Sequence, residues 1–145
     1  MIGEYPFGKL DYYPHMKPED VKLWEKFISA FPDMWETCDY DVLVGDGVVA
    51  GDVEKDQYAR SFQMLTQKKI DVVVYKGNEI GIIEIKPRAG STALGQVVGY
   101  LELWLKKHPE VSPTNVFMGI VTDEPQSDYA TIYANQGIRL FIVGF

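Results

Sequence analysis

The strongest chemical signal is two acids and a lysine on one short hairpin. Asp71 stands in a Val-rich run, Glu84 and Lys86 stand in a second apolar run, and Gly77-Asn78 separates the two. Glycine at the first central position suits a two-residue type II′ turn. Such a turn pairs Lys76 with Glu79, Tyr75 with Ile80, Val73 with Ile82 and Asp71 with Glu84. Lys86 lies two residues beyond Glu84, so it points to the face of both acids. The opposite face reads Val74 with Gly81, Val72 with Ile83 and Ile70 with Ile85, all apolar and therefore buried. Near the turn the acidic face is apolar as well, so the charged groups emerge at one end of a hairpin buried on both sides. Opposed like charges roughly 5 Å apart destabilise a sheet, and partial burial adds to the cost. A divalent cation between Asp71 and Glu84 would offset this, because Mg²⁺ takes oxygen ligands and keeps several waters. Neutralisation by Lys86 and Lys69 in a salt-bridge cluster would offset it too, and spacing alone leaves both open.

Gln96 and Tyr100 follow, four residues apart on one face of the next helix. They can hydrogen-bond a lysine, a water or a phosphate, or stand as ordinary boundary residues of an amphipathic helix.

The elements that must position these groups alternate helix and strand. Lys17-Pro18-Glu19-Asp20 opens a helix with Pro and acids in its first turn. Val21, Trp24, Phe27, Ile28 and Phe31 give it one apolar face, and Pro32 ends it. Residues 1–16, rich in Tyr, Pro and Gly, read as an irregular arm. A strand is expected over 40–44, a turn at Gly45-Asp46-Gly47 and a short strand over 48–50. Residues 51–69 suit either a short helix or a long loop. The hairpin strands cover 70–75 and 79–86, closed by Pro87. Ser91 or Thr92 caps a helix running to about residue 107, with Leu94, Val97, Val98, Leu101, Trp104 and Leu105 toward the core. A strand over 115–121, a helix over 125–135 with Gly137 behind it, and a strand over 138–143 complete the chain. The expected architecture is one α/β domain over 1–145, with helices packed around a mixed sheet.

Composition narrows the function classes. The chain has 145 residues, 46% hydrophobic and 24% charged, the balance of an ordinary globular protein. No apolar run approaches the ~20 residues of a membrane helix, and no secretory signal is visible. Cys38 is the only cysteine, which excludes internal disulfides and cysteine-based metal clusters. A reducing cytoplasm is the expected compartment. The net charge of −7 speaks against nucleic-acid binding when taken alone. Its distribution is uneven: residues 1–54 carry net −8, residues 55–107 net +4 and residues 108–145 net −3.

Asp71, then Glu84-Ile85-Lys86, then Gln96-Val97-Val98-Gly99-Tyr100 resemble the PD-(D/E)xK nuclease superfamily, with the Gln-x-x-x-Tyr element of its RecB-like members. Ile70 stands where the motif's name puts Pro. The resemblance implies a restriction-endonuclease-like αβββαβ core. It implies Asp71 and Glu84 as ligands of Mg²⁺, or Mn²⁺ in its place, with the Ile85 carbonyl as a further ligand. Lys86 would position or activate the attacking water, and Gln96 and Tyr100 would support the site. Such proteins often add an acid from the first helix, for which Glu25 is the candidate and Asp20 the alternative. The expected function is metal-dependent hydrolysis of a nucleic-acid phosphodiester, foremost DNA, with self-association to a homodimer or larger assembly compatible with the small size. The competing expectation is a non-catalytic protein- or nucleic-acid-binding module that keeps the fold.

Overall fold

A Val- and Ile-rich hairpin, apolar on both faces, forms the centre of the sheet because both faces must be covered. The computed structural model describes residues 1–144. In chain order the elements are β1 (Tyr5–Pro6), α1 (Pro18–Ala30), β2 (Thr37–Val44), α2 (Gln57–Thr66), β3 (Lys68–Lys76), β4 (Glu79–Ile85), α3 (Ser91–Lys107), β5 (Val116–Thr122), α4 (Tyr129–Asn135) and β6 (Ile138–Ile142), with a short 3₁₀ turn at Pro113–Asn115. The six strands lie in the order β1-β2-β3-β4-β5-β6. The first four pair antiparallel, and β4, β5 and β6 run parallel. The mixed α/β sheet is therefore as expected, and α2 is inserted into the expected helix–strand order between β2 and β3.

One face carries α1 and the arm. Phe7, Leu23, Trp24, Phe27, Ile28, Trp35 and Tyr40 pack there on Val72, Val74, Ile83, Ile85 and Val121. Trp24 sits inside an aromatic cage, 5.7 Å from Phe7 and 5.4 Å from Phe27, and its indole donates to Tyr40 Oη at 2.9 Å. The arm is therefore pinned, and it adds a strand: Tyr5 and Pro6 pair with Cys38 and Thr37. The other face carries α3 and α4, with Ala93, Val97, Trp104 and Tyr133 on Val73, Tyr75, Ile80, Ile82 and Ile120.

The hairpin register is the expected one from Lys76↔Glu79 to Val72↔Ile83. Gly77 takes φ 57° at the first turn position, where a side chain would be strained. Several expectations need correction. Neither Ser91 nor Thr92 caps α3, whose cap position is Gly90 with no side-chain bond, and Val98 faces outward, exposed rather than in the core. No strand forms over 48–50, because the Val48 amide donates to Thr66 Oγ1 of α2 at 2.6 Å instead of to a neighbouring strand. The last helix begins at Tyr129, not Pro125, because Gln126 is tied to the loop before α3 through its amide and side chain, bonded to the Ala89 and Arg88 carbonyls. Ile70 packs in the α3-side core rather than with Val72 and Val74. There β3 has left β4 and follows β2, whose Asp41 takes a left-handed φ of 53°.

Gly81 lies where β4 passes under the Phe117 ring and beside Val74, and an added Cβ would collide with both side chains. Gly81→Ala should therefore lower stability by about 1–3 kcal/mol, against the propensity of strands for alanine over glycine. A reduced urea midpoint with an unchanged slope would establish this, and an unchanged midpoint would show that the Phe117 ring moves aside freely.

Candidate functional site

The sheet opens where β3 and β4 stop pairing. The ladder between them ends at Val72↔Ile83, while β3 continues along β2 and β4 along β5. Asp71 and Glu84 are the next residues, and they stand opposite each other without a backbone pair. Their side chains take over its role. The Asp71 amide donates to Glu84 Oε2 at 3.1 Å, and the Ile85 amide donates to Asp71 Oδ2 at 2.9 Å. Each carboxylate thus satisfies an amide of the other strand, which a regular ladder would have paired with a carbonyl.

Below these acids lies a cavity of about 220 Å³. Asp71, Glu84, Ile85, Lys86, Gln96 and Tyr100 all line it, so the ordered set singled out in the sequence converges on one place. The Lys86 amide donates to the Val121 carbonyl at 2.9 Å, which extends the parallel edge one residue past β4 and fixes the backbone position of Lys86. Gln96 and Tyr100 reach the cavity from α3, whose Val97 and Trp104 are anchored in the core. The loop before α3 is held by Tyr133 Oη on the Gly90 carbonyl at 2.6 Å and by the Ala89 amide on Thr122 Oγ1 at 3.1 Å.

The acid supplied by α1 is Asp20, not Glu25. Asp20 lines the cavity. Glu25, five residues further, points elsewhere, since five residues turn a helix by about 140° beyond one full turn. Its carboxylate accepts the Tyr13 hydroxyl at 2.9 Å and faces a groove beside Lys22. Glu25 therefore fastens the arm to α1.

Asp41, His15 and Lys17 also surround the acids, and no motif or spacing in the sequence singles them out. Asp41 falls mid-strand, where alternation directs side chains to the sheet faces, but its left-handed backbone re-aims it. It approaches His15 Nε2 at 3.9 Å and, with Asp20 and Asp71, lines a small annex of the cavity.

Electrostatically the site is strained. Burial pushes the carboxyl groups of both Asp71 and Glu84 up, and the Asp71 charge pushes Glu84 further. The pair titrates as a unit and is most stable with one proton or a cation between its members. Burial, then the Asp71 charge, raises Asp20 from 3.8 to about 6. Tyr100 is held up by burial and by the charges of Glu84 and Asp71.

Among the described residues, no three His, Cys, Asp or Glu side chains gather into a ready-made metal cage. The donors present are hard oxygens: the Asp71–Glu84 pair, with Asp20 at the rim of the same cavity. One or two carboxylates with room for retained waters is the set a small divalent ion such as Mg²⁺ accepts, so the residues fit such an ion.

Two solved structures resemble the chain. One is a protein of unknown function, AF1548, at 17% identity and a TM-score of 0.46, covering 81% of this chain and 55% of that one. The other is the EndoMS–dsDNA2 complex, at 15% identity and a TM-score of 0.49, covering 91% of this chain and 47% of that one. The chain thus spans about half the length of each. No family model and no curated protein matches it.

Raised folded-state values bind protons more tightly than the unfolded chain does. For Asp20 the resulting stabilisation is full below 3.8 and lost as pH rises through about 6, and the raised dyad shifts stability in the same direction. With divalent ions chelated, the melting temperature should fall between pH 4 and 7 less in Glu84→Gln than in wild type. Mn²⁺ should raise the wild-type melting temperature at neutral pH and leave Glu84→Gln nearly unmoved. Parallel pH profiles for both proteins would refute the strain assigned to the pair.

Proposed function

We propose that this cavity hydrolyses nucleic-acid phosphodiesters, with DNA as the expected substrate and Mg²⁺ as the expected cofactor. The observation that supports this most is the opposed Asp71–Glu84 pair, Glu84 buried and Asp71 half-buried, sharing one cavity with Lys86: two carboxylates held together against their mutual repulsion. Asp71 and Glu84 would hold the ion, with the Ile85 carbonyl beside them. Bound there, Mg²⁺ would supply an activated water and neutralise charge developing on the phosphate.

The remaining work falls to the chain's own groups. Lys86 presents an ammonium to a phosphate oxygen or to the attacking water, from a backbone position fixed by its amide hydrogen bond to the Val121 carbonyl. Gln96 and Tyr100 offer donors from the α3 wall, and Tyr100 keeps its proton because burial, and then the neighbouring acids, oppose a phenolate. Lys17 and Lys69 at the mouth attract a polyanion that the net charge of −7 would otherwise repel. Arg88, two residues beyond Lys86 in an exposed loop, would add a further cation for the polyanion.

Exchange of Lys86 for Met keeps the aliphatic stem and removes the charge. Cleavage of a labelled duplex with Mg²⁺ should fall about 10²–10³-fold, as expected for loss of one charge-stabilising donor. Melting temperature and Mn²⁺ binding should stay near wild type. A Lys86→Met protein that folds and cleaves at the wild-type rate would remove Lys86 from the chemistry. A wild type that cleaves no linear, circular or branched substrate with Mg²⁺ would favour a non-catalytic binding module.

Rim cations have a separate signature. Lys69→Glu and Arg88→Glu should each weaken duplex binding and flatten its dependence on log salt by about one phosphate contact. Binding that ignores both salt and these charges would place the polyanion elsewhere.

A further inference from the structure

Helix α2 covers almost nothing. Its inner side is held by polar bonds: Gln63 Nε2 to the Asp46 carbonyl at 2.9 Å, Gln67 Nε2 to the Gly45 carbonyl at 2.9 Å, and Thr66 Oγ1 from the Val48 amide. Ala59 is its only buried residue. Tyr58, Phe62 and Leu65 recur at i, i+4 and i+7, the spacing of a buried helix face, yet they are 87%, 46% and 77% exposed. Val48 and Val49, on the loop bonded to α2, are also 50% and 60% exposed.

We propose that a second copy of this chain covers this stripe, the two α2 helices packing against each other about a two-fold axis near Phe62. The area suits a copy. The five side chains expose roughly 600 Å² on each chain, so a symmetric pair buries about 1,200 Å², the lower edge of stable specific interfaces. The charge suits it as well. Two chains of net charge −7 repel over most approaches, whereas α2 contains no acidic residue. Its one cation, Arg60, lies two residues from Tyr58 and so about 200° around the helix, on the far side from the stripe. A phosphate backbone would meet no partner there, which sets DNA aside as the occupant. A two-fold axis lets one self-complementary stripe bury itself completely. The pairing does not depend on the chemistry assigned to the cavity, and its test reads mass rather than cleavage.

Sedimentation equilibrium from low to high micromolar protein should show a monomer of 16.5 kDa passing to twice that mass. The double variant Tyr58→Glu/Leu65→Glu should stay monomeric across the range, with an unchanged circular dichroism spectrum, since both side chains are exposed. A second measurement leaves the stripe almost intact. Phe62→Cys introduces one accessible thiol, because Cys38 is buried, and a short bis-maleimide should join two such chains. Ser29→Cys, on the exposed side of α1, should not be joined at the same concentration. A wild type that stays monomeric at high micromolar concentration overturns the proposal and assigns the stripe to a different partner. So does a dimer that survives the double variant, or cross-linking through Ser29→Cys as efficient as through Phe62→Cys.

Discussion

Two hydrogen bonds at the end of the central ladder set the geometry of everything around them. Where β3 and β4 part, their amides would be left without acceptors, and a buried orphan amide costs about 1–3 kcal/mol. Asp71 and Glu84 remove that cost by reaching across to each other's strand. The strands can then diverge, β3 with β2 and β4 with β5, without losing backbone pairing. The divergence makes the cavity, and the groups that permit it line it. The same bonds hold two carboxylates close together in a poorly solvated place, where burial raises both. Structural support and chemical tension therefore come from one feature. Substituting either acid changes the sheet edge as well as the site, which is why the conservative Glu84→Gln is more informative than truncation to alanine.

Elements at a distance hold this arrangement from two sides. The aromatic cage around Trp24 fixes α1, and α1 delivers Asp20 to the cavity rim. Tyr13 draws the arm onto α1 through Glu25, and the chain then passes Pro14 and His15 along the annex beside Asp71. On the opposite face Tyr133 clamps the Gly90 carbonyl and so sets the entry of α3, which brings Gln96 and Tyr100 into line. Each of these supports combines apolar burial with a few polar tethers.

The hairpin was legible because Gly77-Asn78 admits few turn geometries and a period of two then assigns every side chain to a face. The extent of α3 was legible from its apolar spacing, although its cap is Gly90 rather than Ser91 or Thr92, and Gln96 and Tyr100 followed from a separation of four. Sequence reasoning failed where tertiary contacts decide. Asp20 and Glu25 are both candidate acids on an amphipathic helix, and the seating of α1 separates them, turning Asp20 to the cavity and Glu25 to Tyr13. Asp41 reaches the site through a backbone conformation that alternation cannot foresee. For α2 the sequence admits a short helix or a long loop, and the structure forms the helix, held by polar bonds to the preceding loop rather than by an inward apolar face. Ile70 broke the two-residue period because β3 loses β4 there, while its ladder with β2 carries no pair at Asp71, opposite the left-handed Asp41.

The position of the acid pair on a tight hairpin also bears on the order in which the chain assembles. Asp71 and Glu84 are 13 residues apart, whereas Asp20 lies 51 positions before Asp71. Four times the chain length means two further doublings of the loop to be closed, or ~1.2 kcal/mol more closure entropy. The hairpin is thus the cheaper contact to form, and hairpins close in about 1–10 μs. The parallel pairing of β5 and β6 must wait for crossovers through α3 and α4, the slow class of long-range contact. The two carboxylates accordingly meet while water still surrounds them, when their mutual repulsion is weakest. The repulsion grows only as α1 and α3 close over the sheet, so it burdens the last packing steps and leaves the register of the hairpin unopposed.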